Sequence, residues 1–332
     1  MAVYTKLVFD EIQNHLKNYD LGKLLEFKEI VAGIDNSNFI IITQKGKFIL
    51  TIFESRINKN DLPFFMNFKL HLAKNGICCP RPILDNNGLA IVDLKGKKSA
   101  IASFLSGSTL EPRKDGYYEN IAPKHCGEVG EVLAKLHLAA LDFNMKRQND
   151  LGEKGFLTLF KKFENLLKTP DSSAFKFALS QNGQSIQDEI SQAIKFVESR
   201  WIADLPSAAA HLDLFPDNVF FDEFSKVSGV IDFYFAANDL LIYDFAICIN
   251  AWCFDENNIF DKEKFEALKN SYEKHRKFSQ KEEEFLKVAL VAASLRFLLT
   301  RLHDMFFTPK DSLVNIKNPQ EYLAKLRYFL AA

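Results

Sequence analysis

His211-Leu212-Asp213-Leu214-Phe215-Pro216-Asp217-Asn218, followed by Val230-Ile231-Asp232-Phe233, is the stretch that decides the fold of this 332-residue chain. The first block has the form H-x-D-x-x-x-x-N, and the second is an apolar run ending in D-F. Asn218 to Phe221 and Val227 to Ile231 read as short strands on either side of a turn. This is the spacing of a phosphoryl-transfer loop and its metal-binding aspartate. A bare acid and amide five positions apart usually mark an ordinary polar turn. The joint register of His211, both strands and Asp232 argues against that reading.

Phosphoryl transfer asks a protein for positioning and positive charge, not for a covalent intermediate. Asp213 is expected to accept the hydrogen bond and then the proton of an acceptor hydroxyl. Asn218 offers an amide oxygen and Asp232 a carboxylate to Mg2+, a hard cation that prefers oxygen ligands. ATP is the expected donor. His211 is expected to hold the loop through ring hydrogen bonds. Asp244 opens an apolar helix, where it either caps that helix or binds the loop backbone; both roles are structural.

Working outward, the first hundred residues read mostly as strands. Val31 to Asn38 is a polar turn ahead of the apolar run Phe39 to Thr43, and Gln44-Lys45-Gly46-Lys47 turns into the strand Phe48 to Phe53. Within that polar turn Gly33, Asn36, Ser37 and Asn38 are expected to cover a nucleotide's phosphates. Leu62 to Lys74 is a helix stopped by Asn75-Gly76. Leu89 to Leu94 and Ala100 to Leu105 are further strands. Phe104 and Leu105, beside a possible hinge at Gly107, complete the expected nucleotide contacts.

After residue 105 the pattern turns helical. Helices are expected over Pro123 to Leu141, Gly155 to Leu167, Ile186 to Ile202, Tyr243 to Cys253, Lys262 to Lys274, Lys281 to Leu302 and Pro319 to Leu330. A β stretch, Ala209 to Phe235, interrupts them. The fold class expected is α+β: a small antiparallel-sheet N-lobe (residues 1–105) and a mostly helical C-lobe (106–332), two-lobed and protein-kinase-like, with the nucleotide in the cleft.

Two positions need a charge partner. The strand Phe48 to Phe53 carries Thr51 where such enzymes carry a lysine, and the helix after it has no acid. Lys69, His71 or Lys47 is therefore expected to neutralise phosphate, a solvated Lys69 being the plainer alternative. Arg296 lies in the apolar run Phe285 to Leu302, where an unpaired charge is costly. Its expected partner is an internal carboxylate, Asp239 or Asp244, with a substrate carboxylate as the sharper alternative. Arg301 points to another helix face. Asp239 either turns the chain or faces substrate, and Tyr234 either lines the pocket or packs in the core.

A formal net charge of −1 without a basic run argues against a nucleic-acid partner. The five cysteines form no C-x-x-C pair and no zinc pattern, as in reduced cytosolic proteins. No apolar run is long enough for a membrane span, and the start lacks the apolar core of a signal peptide.

The chain resembles the homoserine kinase branch of the aminoglycoside-phosphotransferase-like superfamily over almost its whole length. The likeness rests on Asp35 to Phe39, Ile49 to Glu54, Leu62 to Phe65, Cys79 to Pro82, Phe104 to Gly107, His211 to Phe221, Ile231 to Ala236, Ile247 to Phe254 and Leu295 to Arg301. The catalytic loop fixes only the superfamily. The Tyr234 to Ala236 and Asn250 to Phe254 blocks and the Arg296 helix point to the branch, which Thr51 also resembles. The resemblance implies ATP-dependent phosphorylation of L-homoserine to O-phospho-L-homoserine on the way to threonine, in the cytoplasm. Tyr234, Asp239 and Arg296 would serve the substrate; monomer and homodimer stay open. The rivals are a kinase for choline, methylthioribose or an aminoglycoside, and a nucleotide-binding relative without catalysis. An aminoglycoside site would need strong acidity to match a polycation, which the aromatic, apolar segments after Asp232 lack.

Overall fold

The computed structural model describes residues 4–30, 36–54, 57–110, 112, 118–152, 155, 158–162, 165, 186–308 and 317–332. They group into two compact units. One comprises residues 1–108, 142–147 and 220–234; the other comprises 109–141, 148–219 and 235–332.

The first unit opens with helix α1 (Phe9–Leu16), which the strand-dominated reading did not anticipate. Strands β1 (Leu24–Ile30), β2 (Asn36–Thr43) and β3 (Gly46–Phe53) follow, then helix α2 (Leu62–Lys74) and strands β4 (Pro82–Ile83), β5 (Val92–Leu94) and β6 (Lys97–Ser103). All pair antiparallel in the order β1-β2-β3-β6-β4, with β5 on β6. Strand alternation sends Phe39, Ile41, Leu50 and Ile52 to one face, where they meet Ile101 and the α1 residues Ile12 and Leu16. Each such buried side chain contributes about 1.5–3 kcal/mol. Helix α2 ends where the sequence stops it, with Gly76 at φ +80°. Strand β5 begins three residues later than expected. The Asp85 carboxylate accepts the N–H groups of Asn87 and Leu89, and this local turn takes up the residues assigned to the strand.

The second unit contains helices α3 (Pro123–Ala140) and α4 (Ile186–Glu198) and strand β7 (Ser207–Ala210). Next come β8 (Val219–Phe221) and β9 (Val227–Val230), paired with each other; the unit boundary falls inside β8, and β9 belongs to the first unit. Strand β10 (Ala237–Leu240) and helices α5 (Leu241–Trp252), α6 (Lys262–Glu273), α7 (Gln280–Phe307) and α8 (Gln320–Ala331) complete the second unit. The helix expected over 155–167 falls largely outside the described residues. Helix α7 starts at a capping box, Ser279 accepting from Glu282 N–H and Glu282 reaching back to Ser279. Every residue of α5 is buried, as an all-round apolar helix requires. Helices α3 and α6 touch at Gly130, where a Cβ would lie 2.2 Å from the Leu268 carbonyl oxygen.

Among the described residues no helix is long and apolar enough to cross a membrane. All five cysteines are free, and of these only Cys78 is exposed.

Candidate active site

In the second unit, β7 runs directly into the loop 211–218, and β10 returns beside β7 with Ala237 opposite Ala210. The loop is irregular, so its backbone polar groups need partners other than a ladder. Helix α5 supplies partners for three of them from one stripe, because residues four apart share a helix face. Asp244 accepts from His211 N–H (3.0 Å, Oδ2) and Leu212 N–H (2.8 Å, Oδ1). Trp252 Nε1 donates to the Leu214 carbonyl at 2.8 Å, and Cys248 Sγ lies 4.0 Å from the same oxygen. Of the three, the sequence reading assigned a role only to Asp244. The spacing 244, 248, 252 was the signal for the others.

Leu212 is left-handed, at φ +62°. A non-glycine residue there costs about 1–2 kcal/mol. Inside the loop, His211 Nδ1 accepts from Asp213 N–H at 3.2 Å. Asn218 Nδ2 donates to the Asp213 carbonyl at 2.8 Å and lies 3.4 Å from its carboxylate. The planar amide thereby turns its oxygen away from Asp213. Asp213 is half-buried, and Asn218 is buried.

Behind Asp244 runs a chain of buried polar groups absent from the sequence reading. Arg276 Nη1 donates to Tyr272 Oη (3.0 Å), Tyr272 O–H to His137 Nδ1 (2.7 Å), and His137 Nε2–H to Asp244 (3.0 Å). Arg276 also pairs with Glu282 of the α7 cap at 2.7 Å. Burial favours the neutral form of Asp244, but His137 and the loop amides outweigh it and hold its pKa below the ordinary carboxylate value. Burial likewise holds His137 below the ordinary imidazole value, against the pull of Asp244. The pair is thus a carboxylate and a neutral imidazole.

Arg296 does not take the carboxylate partner expected for it. Its Nη1 donates to the Leu212 carbonyl at 2.6 Å. Asp244 is already committed to two amides and His137, so a carbonyl with spare lone pairs takes the charge instead. Asp239 accepts from Asn149 at 2.6 Å and from its neighbour Leu240 N–H. Burial raises its pKa, with Asn149 and the nearby Arg296 pulling the other way. Arg301 engages Glu321 and the Asn318 carbonyl.

In the first unit, Asp232 follows β9, is exposed and is left-handed at φ +62°. Val230 N–H donates to the Cys78 carbonyl at 2.9 Å, fixing the strand two residues before it. Tyr234 packs edge-on against Phe53 and Phe65, and its ring faces Lys69 Nζ at 5.6 Å. Burial and Asp232 push its phenol pKa up. These contacts set the half-buried Tyr234 against an aromatic cluster, which leaves both roles open to it.

Of the three bases expected to replace the strand lysine, His71 pairs with Asp142 at 2.9 Å and Lys47 faces the Phe104 ring. Lys69 is buried, not solvated. Its ammonium is pushed down to about 8 by desolvation, resisted by Cys79 and Asp232.

Asn36, Ser37 and Asn38 lie in β2, not in a loop; Gly33 is outside the described residues. Ser37 Oγ donates to Glu54 at 2.7 Å and accepts from Tyr4 and Thr5 N–H. Asn38 accepts from Thr51, and Asn36 from Glu54 N–H. Burial opposes ionisation of Glu54, but Lys97, Ser37 and Thr5 outweigh it and keep its pKa low. Phe104 is exposed, and Leu105 packs where a Cβ on Gly229 would stand. Gly107, the position of the expected hinge, is left-handed at φ +114°. Ser108 and Phe221 exchange both backbone hydrogen bonds, and a Cβ on Gly107 would lie 2.5 Å from the Phe221 oxygen. Among the described residues no cluster of three or more His, Cys, Asp or Glu side chains forms a metal site. An ion held by one amide and one carboxylate, with phosphate oxygens completing its shell, needs no such cluster.

Comparisons with known proteins agree with this chemistry. The Phosphotransferase enzyme family matches residues 26–278. A homoserine kinase of Rhodopseudomonas palustris is 44% identical over 329 residues, covering 99% of this chain and 94% of that one. A homoserine kinase of Agrobacterium fabrum is 42% identical over 330 residues, covering 99% and 95%. Among solved structures, spectinomycin phosphotransferase in complex with ADP and spectinomycin superposes with a TM-score of 0.68 at 15% identity, covering 98% and 95%. A microcompartment-associated aminopropanol kinase gives 0.63 at 14%, covering 96% and 97%. At such identities the structures establish the fold, the protein-kinase-like one. Antiparallel sheet first and helices after, a buttressed H-x-D-x-x-x-x-N loop and more than 40% identity along the entire chain together place this protein in the phosphotransferase enzyme family, among the homoserine kinases.

Proposed function

We propose that the protein transfers the γ-phosphoryl group of ATP to the side-chain hydroxyl of L-homoserine, yielding O-phospho-L-homoserine and ADP in the cytoplasmic route to threonine. The observation that carries this reading is the whole-chain identity with homoserine kinases, joined to the Asp213–Asn218 arrangement. In the reaction a bond forms between the homoserine oxygen and Pγ, and the bond from Pγ to the β,γ-bridging oxygen breaks. Asp213 accepts the hydroxyl proton as the new bond forms. Asn218, through its amide oxygen, and Asp232, through its carboxylate, would hold Mg2+. Bound there, the ion offsets phosphate charge.

Lys69 is assigned the positive charge that a strand lysine would supply. Asp239 is assigned the substrate ammonium: it is a half-buried carboxylate oriented by Asn149. Phe104 and Leu105 are assigned the nucleotide base, and the start of β2 at Asn36 to Asn38 its phosphates.

The test is ADP release with ATP and Mg2+ across homoserine, serine, threonine, choline and kanamycin. Homoserine should be preferred. Asp213→Asn should lower kcat about 10²–10⁴-fold while ATP still binds. Preference for another alcohol would overturn the substrate, and an Asp213→Asn enzyme of full activity would overturn the mechanism.

A further inference from the structure

We infer that Arg296 is a positioning residue for the catalytic loop and not a ligand of the substrate's carboxylate. The inference deepens the reading above and rests on the assignment of Asp213 as the proton acceptor.

Leu212 immediately precedes Asp213, and its left-handed backbone sets the direction in which Asp213 leaves the strand. Reverting Leu212 to an ordinary conformation would swing the Asp213 carboxylate away from its place. Both peptide groups of Leu212 are held by charge. Its N–H is bound by the Asp244 carboxylate and its carbonyl by the Arg296 guanidinium, at 2.8 and 2.6 Å. Charge-assisted bonds are about twice as strong as neutral ones. Two of them offset the strain of a left-handed leucine, where one neutral bond would barely match it.

The surroundings of Arg296 fit a fixed clamp. The side chain is 2% exposed. Its guanidinium carbon lies 4.6 Å from the Phe297 ring centroid and 5.7 Å from that of Phe235. Phe297 in turn packs on Phe215 of the loop itself, with centroids 5.0 Å apart. The guanidinium therefore lies against two aromatic rings with Nη1 on the Leu212 carbonyl, while its buried Nε has no hydrogen-bond partner among the described residues. Helix α7 serves the loop twice, directly through Arg296 and, fourteen residues earlier, through Glu282 and the chain Arg276–Tyr272–His137–Asp244. A mobile ligand arm would not be built into the same helix that buttresses the opposite side of the loop.

The experiment compares L-homoserine with 3-aminopropan-1-ol, the same amino alcohol without the carboxylate, in the wild-type enzyme, Arg296→Met and Arg296→Lys. A misplaced Asp213 lowers kcat for both alcohols by the same factor, about 100-fold in Arg296→Met, since displacements near 1 Å cost that much. The homoserine-to-aminopropanol ratio of kcat/KM and the KM for homoserine stay unchanged. Arg296→Lys, whose ammonium can still reach the carbonyl, should recover at least about tenfold of the loss. A rise in homoserine KM with kcat retained, or a collapse of the ratio in either variant, would overturn the inference. If Arg296→Met does not fold, the ratio in Arg296→Lys alone decides. A wild-type enzyme that ignores homoserine would sink the substrate assignment, while the kcat loss on whichever alcohol it accepts would still test the clamp.

Discussion

At the scale of residues, two of the six left-handed non-glycine residues described fall where chemistry is assigned. Leu212 and Asp232 share a left-handed backbone, and each adjoins or is a residue of the proposed mechanism. Lys69 carries the clearest stability cost of the residues assigned a role. Its pKa, lowered to about 8, means that the fold keeps a buried ammonium charged at neutral pH at a cost of about 3 kcal/mol. A depressed pKa makes the unfolded chain bind more protons between pH 8 and the free-lysine value near 10.5, so stability rises with pH across that window. Lys69→Met removes the cost. Thermal unfolding at pH 7 should shift upward by several degrees, the gain should fade as pH approaches about 10.5, and ATP should bind more weakly. An unchanged or lower melting temperature would show that the ammonium is compensated in the fold.

At the scale of elements, the sequence announced some pieces and hid others. Helix α2 was readable to the residue, because apolar spacing, Pro63 and Asn75-Gly76 all agree. The hairpin at Gly46 was equally plain. Helix α1 was not, since Phe9 to Leu16 is short and half polar, and its helix is sustained by the sheet it covers. The loop residues His211, Asp213 and Asn218 announced themselves by spacing. The partners that hold them did not: His137, Tyr272 and Trp252 look like core residues until the fold brings their polar atoms to the loop. Arg296 was noticed for its burial, yet its partner is a main-chain carbonyl, which no side-chain pattern reveals. The α3–α6 contact gives a sharp check at this scale. Gly130→Ala forces a methyl group against the Leu268 carbonyl, and neither backbone can yield alone. Denaturant unfolding should show a loss of about 1–3 kcal/mol. A loss under about 0.5 kcal/mol would mean that the two helices are not so closely seated.

At the scale of the whole molecule, buried titratable groups set the acid limit. Burial lowers the pKa of His15, His125 and His137, so each is neutral in the fold and protonates more readily in the unfolded chain. Their contribution is complete above the free imidazole value near 6.5 and is lost as pH falls below it. Glu54, Asp244 and Glu321 are held low, against the opposing push of burial, by hydrogen bonds and nearby cations. Their share is complete above about pH 4.5 and goes only below it. Asp239, raised by burial, works in the opposite sense and softens the second stage. Melting temperature against pH should therefore be flat between about 7 and 8, below the window set by Lys69, decline gently below 6.5 and fall steeply below 4.5. His137→Gln should flatten the first decline; an unaltered profile would assign it to other groups.

The lone solvent-facing thiol has a practical corollary. A maleimide dye added to the unaltered protein should attach at Cys78 and spare the four sheltered cysteines. The Cys78 carbonyl is bonded to Val230, two residues ahead of Asp232. A fluorophore there would sit beside the aspartate assigned to magnesium, so its emission could follow nucleotide arrival in real time without an engineered background.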